Sequence, residues 1–251
     1  PAANIHPKAI RESEILKHFA PAAQLPAPAF IGDQIDPYDG NHVLLMSHIS
    51  GDGINTIATD SYQIIMHSLQ SMIPCWNTPI ENLPESTIVS RWGTGTKGHT
   101  TPHTRRVRRF KKRALHFLEE YSGQETSAPE IPYVVDWIRE HLEPCLETAA
   151  KWPSAMIHGD LHPENIILNQ NTITVLDWQT ASLGSPLLDI TRLLMDSVPE
   201  LGADEFIECT RNLINQCDHY AHIAPHALHT SSPPIAAIIG YAGFVSGWGG
   251  K

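Results

Sequence analysis

The chain has 251 residues, a formal net charge of −10, 41% hydrophobic and 18% charged residues. That is enough apolar material for one large domain or two small lobes with a sizeable core, which argues against a disordered chain. The acidic balance argues against a nucleic-acid partner, and no apolar run reaches the length needed for a membrane span.

Residues 8–20 predict a helix with Ile10, Ile15, Leu16 and Phe19 on one face, stopping before Pro21. Pro21, Pro26 and Pro28 mark a connector. Phe30–Ile35 and His42–His48 read as two strands around the turn Asp36–Gly40. Gly51–Gly53 reads as a break, residues 56–73 as a helix ending before Pro74, and residues 74–103 as a long irregular segment. Helices are expected at about 104–121 and 131–149. Ala155–Ile157 is short and apolar, and His158–Asn165 is a polar loop. Ile166–Leu168 and Ile173–Leu176 form a tight hairpin around Asn169–Asn171, and Asp177 ends it. Helices return at about 187–197, 203–222 and 234–246.

Several features are weighed against blander readings. Seven of the 17 basic residues lie within Arg105–Arg113. They could contact a polyanion, but a solvated helix face is the favoured reading, with Val107, Phe110, Leu115 and Leu118 inward. Arg91–Gly98 is glycine-rich but lacks the phosphate-loop pattern and reads as a mobile loop. Tyr241–Trp248 reads as a packed helix end. The fifteen histidines show no zinc-binding spacing. Cys75, Cys145, Cys209 and Cys217 form no CxxC pair and read as reduced. Cys209 and Cys217 are expected about two turns apart on one helix. Pro1–Arg11 has no apolar signal-peptide core, so the expected location is cytoplasmic.

The chemistry concentrates on Asp160, Asn165 and Asp177. A five-residue step on a loop beside a tight hairpin brings two carboxylates and an amide oxygen together. Taken singly, each could be a turn cap or a strand-end residue. Together they fit phosphoryl transfer. One carboxylate orients or deprotonates a hydroxyl, while the other and the amide oxygen hold Mg²⁺ against nucleotide phosphates. Oxygen ligands suit such a hard cation.

The run His158-Gly-Asp-Leu-His-Pro-Glu-Asn165, followed by Val175-Leu-Asp-Trp-Gln179 and Gly184-Ser-Pro-Leu-Leu-Asp189, resembles the aminoglycoside phosphotransferase and choline kinase-like superfamily. The Asp-Trp-Gln triplet also looks like its ecdysteroid-kinase-like branch. The resemblance implies an α+β, protein-kinase-like fold. Residues 1–48 would be a partial small lobe. Residues 49–251 would be a mostly helical catalytic and substrate-binding lobe with a catalytic-loop hairpin. It implies ATP and Mg²⁺ as cofactors and a small-molecule hydroxyl as acceptor. Asp160 would be the catalytic base, Asn165 and Asp177 the metal ligands. Asp189 would support the loop from behind, and His158 would be structural. Leu44–Gly51 looks like the linker between lobes, with the backbone around Ser47 and Ile49 meeting adenine; an ordinary buried strand is the alternative. Glu12 matches the glutamate that pairs with the phosphate-binding lysine, with Glu14 as a rival. That lysine and a glycine-rich strand pair are expected ahead of this helix, where the sequence begins, and Lys8 is given no such role. A nucleotide-binding protein with little turnover is therefore carried as the alternative, and a metal-dependent hydrolase as a third reading. The oligomeric state is left open.

Overall fold

The computed structural model describes residues 7–36, 38, 41–54, 61–78, 112, 115–116, 135–136, 139–141, 144, 155–198 and 202–217. Helix α1, Pro7–Glu14, runs through a π turn, Ile15–Phe19, into the short α2, Ala20–Ala22. The helix therefore passes the expected stop at Pro21, which sits in the first turn of α2, where a missing N–H costs nothing. The π turn also shifts the apolar stripe. Ile15, Leu16 and Phe19 are buried, whereas Ile10 is 37% exposed.

Strands β1, Phe30–Ile35, and β2, His42–Met46, pair antiparallel from Phe30↔Met46 to Ile35↔His42, with a bulge between Phe30 and Gly32. At the hairpin end, Asp36 Oδ1 accepts the Tyr38 N–H at 2.7 Å. Strand β2 stops two residues before His48 because Ser47 turns to Ala29. The Ser47 N–H donates to the Ala29 carbonyl at 2.8 Å, and the Ser47 hydroxyl accepts the Ala29 N–H at 2.9 Å. Helix α1 is tied to this hairpin through Asp33. Its Oδ2 accepts the Ser13 hydroxyl at 2.5 Å and lies 3.0 Å from His42 Nε2. The Ser13 and His42 hydrogen bonds hold the Asp33 carboxyl below the usual range.

The expected break at Gly51–Gly53 is a contact. Strand β3, Asp52–Gly53, pairs antiparallel with β5, Ile166–Asn169, as Asp52↔Leu168 and Gly53↔Ile167. Gly51 is required there. Its φ is +146°, and a Cβ would lie 2.5 Å from the Leu168 carbonyl oxygen. Strand β5 pairs with β6, Thr172–Val175, from Ile166↔Val175 to Asn169↔Thr172, with Gln170 left-handed in the turn. The Pro26 carbonyl accepts the Val175 N–H, docking the proline connector on this hairpin. A further pair joins β4, Ala155–Ile157, to β7, Ser182–Gly184, a strand the sequence reading lacks.

The expected helix over 56–73 is α3, Ser61–Ser71, followed after Met72 by α4, Ile73–Asn77, with Pro74 in its first turn. The start of the expected irregular segment is thus helical. Ile65, Leu69, Met72 and Trp76 share one stripe and are buried. Helices α5, Leu187–Ser197, and α6, Ala203–Asn215, close the described core, α6 ending short of the expected residue 222. Cys217 lies past that helix end, and Cys75, Cys209 and Cys217 are buried free thiols. No helix among the described residues is long and apolar enough to cross a membrane. Within the ranges 104–121 and 131–149, where helices are expected, the described residues 112, 115–116, 135–136, 139–141 and 144 are all helical. Residues 91–98, most of 105–113, Cys145 and residues 234–248 lie outside the described residues.

Candidate active site

The loop leaving β4 is held from behind. Asp189, in the first turn of α5, accepts the His158 N–H on Oδ2 at 2.8 Å and the Gly159 N–H on Oδ1 at 2.9 Å. The Trp76 indole N–H donates to Oδ2 at 3.4 Å. Burial pushes the Asp189 carboxyl above its ordinary range, opposed by His158 and these donors. Gly159, at φ +82°, allows the turn that offers both N–H groups to one carboxylate.

His158 is fully buried and uses both ring nitrogens. Nε2 donates to the Leu176 carbonyl at 2.8 Å, while Nδ1 accepts the Asp160 N–H at 3.3 Å. Burial lowers its pKa, so it is the neutral imidazole. Its ring meets Trp178 edge-on at 4.9 Å, and Thr180 donates its hydroxyl to the His158 carbonyl at 3.0 Å. The loop after β4 and the segment after β6 are thereby joined. Asp160, Asp177 and Asp189 all lie within electrostatic reach of His158.

Asn165 is buried at the end of a 3₁₀ turn, Pro163–Asn165. Its backbone carbonyl accepts the Leu176 N–H at 2.8 Å, and its amide nitrogen donates to the Asp160 carbonyl at 3.0 Å. Asp160 itself is more open. Its side chain is 46% exposed, and His162 Nε2 lies 3.9 Å from Oδ2. Asp177 adopts the left-handed region, φ 59° and ψ 63°, and Gln179 donates its amide to Asp177 Oδ2 at 2.9 Å. Among the described residues, Asn165 Oδ1 and Asp177 Oδ1 accept no hydrogen bond, and both are hard oxygen donors of the kind Mg²⁺ takes. No group of three or more His, Cys, Asp or Glu could hold an ion alone among the described residues. An ion here would need further oxygens from a phosphate or water, which is how Mg²⁺ is commonly bound.

Glu12 reaches the same place from α1, with a partner other than the expected lysine. Its Oε1 accepts the Trp178 N–H at 3.1 Å, directly after Asp177. Burial and the Asp177 charge raise the Glu12 pKa, while the Trp178 hydrogen bond lowers it. Beside it, Arg11 Nη1 donates to the Gln179 carbonyl at 3.2 Å. Glu14, the rival, lies 3.9 Å from His18 Nε2 on the helix surface. Asp160, Asn165, Asp177, Glu12, His158 and Asp189 thus form one connected network. Ser47 and Ile49 lie on the linker between β2 and β3, outside this hydrogen-bond network, and the Ser47 N–H is taken by the Ala29 carbonyl.

Gln179, Thr180, Trp76 and His162 also belong to this network but carry no role in the sequence reading. Gln179 and His162 lie inside the quoted motifs, two residues after an aspartate in each case. Trp76 is 113 positions from its partner, beyond any local signal.

The sequence model of the family described as "Phosphotransferase enzyme family" matches residues 1–208. No curated protein matches the chain. Among solved structures, an aminoglycoside phosphotransferase from Streptomyces rimosus in complex with ADP and streptomycin is 15% identical, with a TM-score of 0.55 over 94% of this chain and 81% of that one. The GDP complex of wild-type aminoglycoside 2'-phosphotransferase-IIIa is 15% identical, with a TM-score of 0.56 over 96% of this chain and 74% of that one. Aminoglycoside-3'-phosphotransferase of type VIII is 14% identical, with a TM-score of 0.54 over 92% of this chain and 79% of that one. These likenesses show the fold, which is α+β and protein-kinase-like.

Proposed function

The chain belongs to the phosphotransferase enzyme family, and from that premise we propose that it moves the γ-phosphate of ATP, taken as its Mg²⁺ complex, to a hydroxyl of a small molecule. The observation that carries this reading is the contrast between Asp160 and its surroundings. Its loop is fixed by Asp189 and His158, while its carboxylate stays open to an incoming group. Asp160 orients the acceptor hydroxyl and takes its proton on a carboxylate oxygen as the bond from the hydroxyl oxygen to the γ-phosphorus forms and the bond to the β–γ bridging oxygen breaks, releasing ADP. Asn165 Oδ1 and Asp177 Oδ1 hold the cation, which when bound neutralises phosphate charge. The Ser47 carbonyl and Ile49 N–H receive adenine, and residues 1–48 and 49–251 form the two lobes around it. Glu12 fixes the segment carrying Asp177. Three buried free thiols support a reducing, cytoplasmic setting.

The test is transfer of label from γ-labelled ATP to a panel of small hydroxyl acceptors by the full-length protein. A labelled acceptor is expected. Phosphate release with no labelled acceptor would instead indicate hydrolysis on the same carboxylates. Nucleotide binding with little turnover would instead give ATP binding with neither product.

A further inference from the structure

His162 lies two residues past Asp160 and faces Asn165, not the substrate side alone. Its Nε2 is 3.1 Å from Asn165 Nδ2 and 3.9 Å from Asp160 Oδ2. Asn165 Nδ2 also donates to the Asp160 carbonyl at 3.0 Å. An amide nitrogen only donates, so His162 Nε2 must be the acceptor, and its proton sits on Nδ1. Both hydrogens of the Asn165 amide are then used, one on the Asp160 carbonyl and one on His162. The reversed amide would set Oδ1 against the Asp160 carbonyl oxygen, two acceptors facing each other.

We infer that His162 is a positioning residue that fixes the Asn165 amide so that Oδ1 faces the metal-phosphate position, with the imidazole in its Nδ1–H form. This rests on the phosphotransferase reading, in which Asn165 is a metal ligand. Partners that orient a ligand in this way are commonly worth 10–100-fold in metal affinity. His162 would thus set metal affinity without touching the ion. It would also keep its Nε2 lone pair turned away from the Asp160 carboxylate, leaving that group for the acceptor.

The experiment has two arms, both on the full chain. In the first, Mn²⁺ is titrated by EPR in the presence of ADP, alongside ADP affinity without metal. The wild type is expected to bind Mn²⁺–ADP, and Asn165→Ala to bind it weakly. His162→Phe is expected to lose about tenfold in Mn²⁺ affinity with ADP affinity unchanged, and His162→Gln, whose Oε1 can accept the Asn165 amide, to recover to within about threefold. Wild-type affinity in His162→Phe alongside a weakened Asn165→Ala would overturn the inference and leave the phosphotransferase reading standing. Wild-type affinity in Asn165→Ala as well would remove both. The second arm needs no folded variant of His162. The ¹⁵N shifts of the His162 ring in the wild type should show an unprotonated Nε2 and a protonated Nδ1. A protonated Nε2, paired with Asp160, would overturn the inference.

Discussion

Glu12 Oε1 accepts the Trp178 backbone N–H at 3.1 Å, across 166 positions of the sequence. Helix α1 is thereby fastened to the residue beside Asp177. Glu12→Ala leaves that part-buried N–H without its acceptor, at an expected cost of about 1–3 kcal/mol. Glu12→Gln keeps the acceptor oxygen and removes a half-buried charge facing Asp177. Because burial and Asp177 raise the Glu12 pKa, the ionised form is the one disfavoured in the fold. Wild-type stability relative to Glu12→Gln should therefore improve as pH falls through the folded pKa of Glu12. Thermal melts of the three proteins against pH check both statements.

Asp189 supports two consecutive backbone amides of the loop after β4. Asp189→Ala strands both, together with the Trp76 indole N–H, and is expected to cost about 3–5 kcal/mol. Asp189→Asn retains one acceptor oxygen and turns an NH₂ toward the other donor, for about 1–3 kcal/mol. Urea unfolding gives the order wild type, Asn, Ala. Turnover should fall in both variants, since the Asp160 position depends on this anchor.

His158 gives the fold an acid limit. Burial lowers its pKa below the unfolded value of about 6.5. The unfolded chain takes the proton first, so the stability from this group is present above about pH 6.5 and is lost as pH falls through the folded pKa. Protonation would also set an N–H against the Asp160 N–H. His158→Gln, which can still donate to the Leu176 carbonyl, should flatten the acid limb of a Tm-against-pH curve by about one proton's worth. An unchanged limb would show that other histidines dominate it.

Gly51 closes the linker onto the hairpin. At φ +146°, with a Cβ position 2.5 Å from the Leu168 oxygen, Gly51→Ala must move backbone. A loss of at least about 1 kcal/mol is expected, with weaker ADP binding because Ser47 and Ile49 move with the linker. Calorimetric ADP titration reads the second effect.

The part of the fold most legible in the sequence was Ala155–Asp177. There a short apolar run, a polar loop and a tight hairpin follow each other within the reach of local propensity. The same stretch carried the motif that placed Asp160, Asn165 and Asp177. Strands β3 and β7 were missed because strands of two and three residues carry no period, and only their distant partners define them. The helix through Pro21 was misread for a different reason. A proline stops an α-helix, but the π turn before it opens a new first turn where proline fits. The partner of Glu12 was hidden because a backbone N–H leaves no trace in side-chain identity. His162 is visible in the motif, yet its aim at Asn165 is set by the 3₁₀ turn that brings the two side chains together.

The most direct test of the phosphoryl-transfer site is ATP-dependent labelling of a hydroxyl acceptor by the full-length protein, its Asp160→Ala variant and its Asp177→Ala variant. Asp160→Ala is expected to lose turnover by about 10²–10⁴-fold while still binding ADP, as removal of a general base should do. Asp177→Ala is expected to lose turnover together with Mn²⁺–ADP affinity. Wild-type turnover in both variants would contradict the assignment of Asp160 and Asp177 to the reaction.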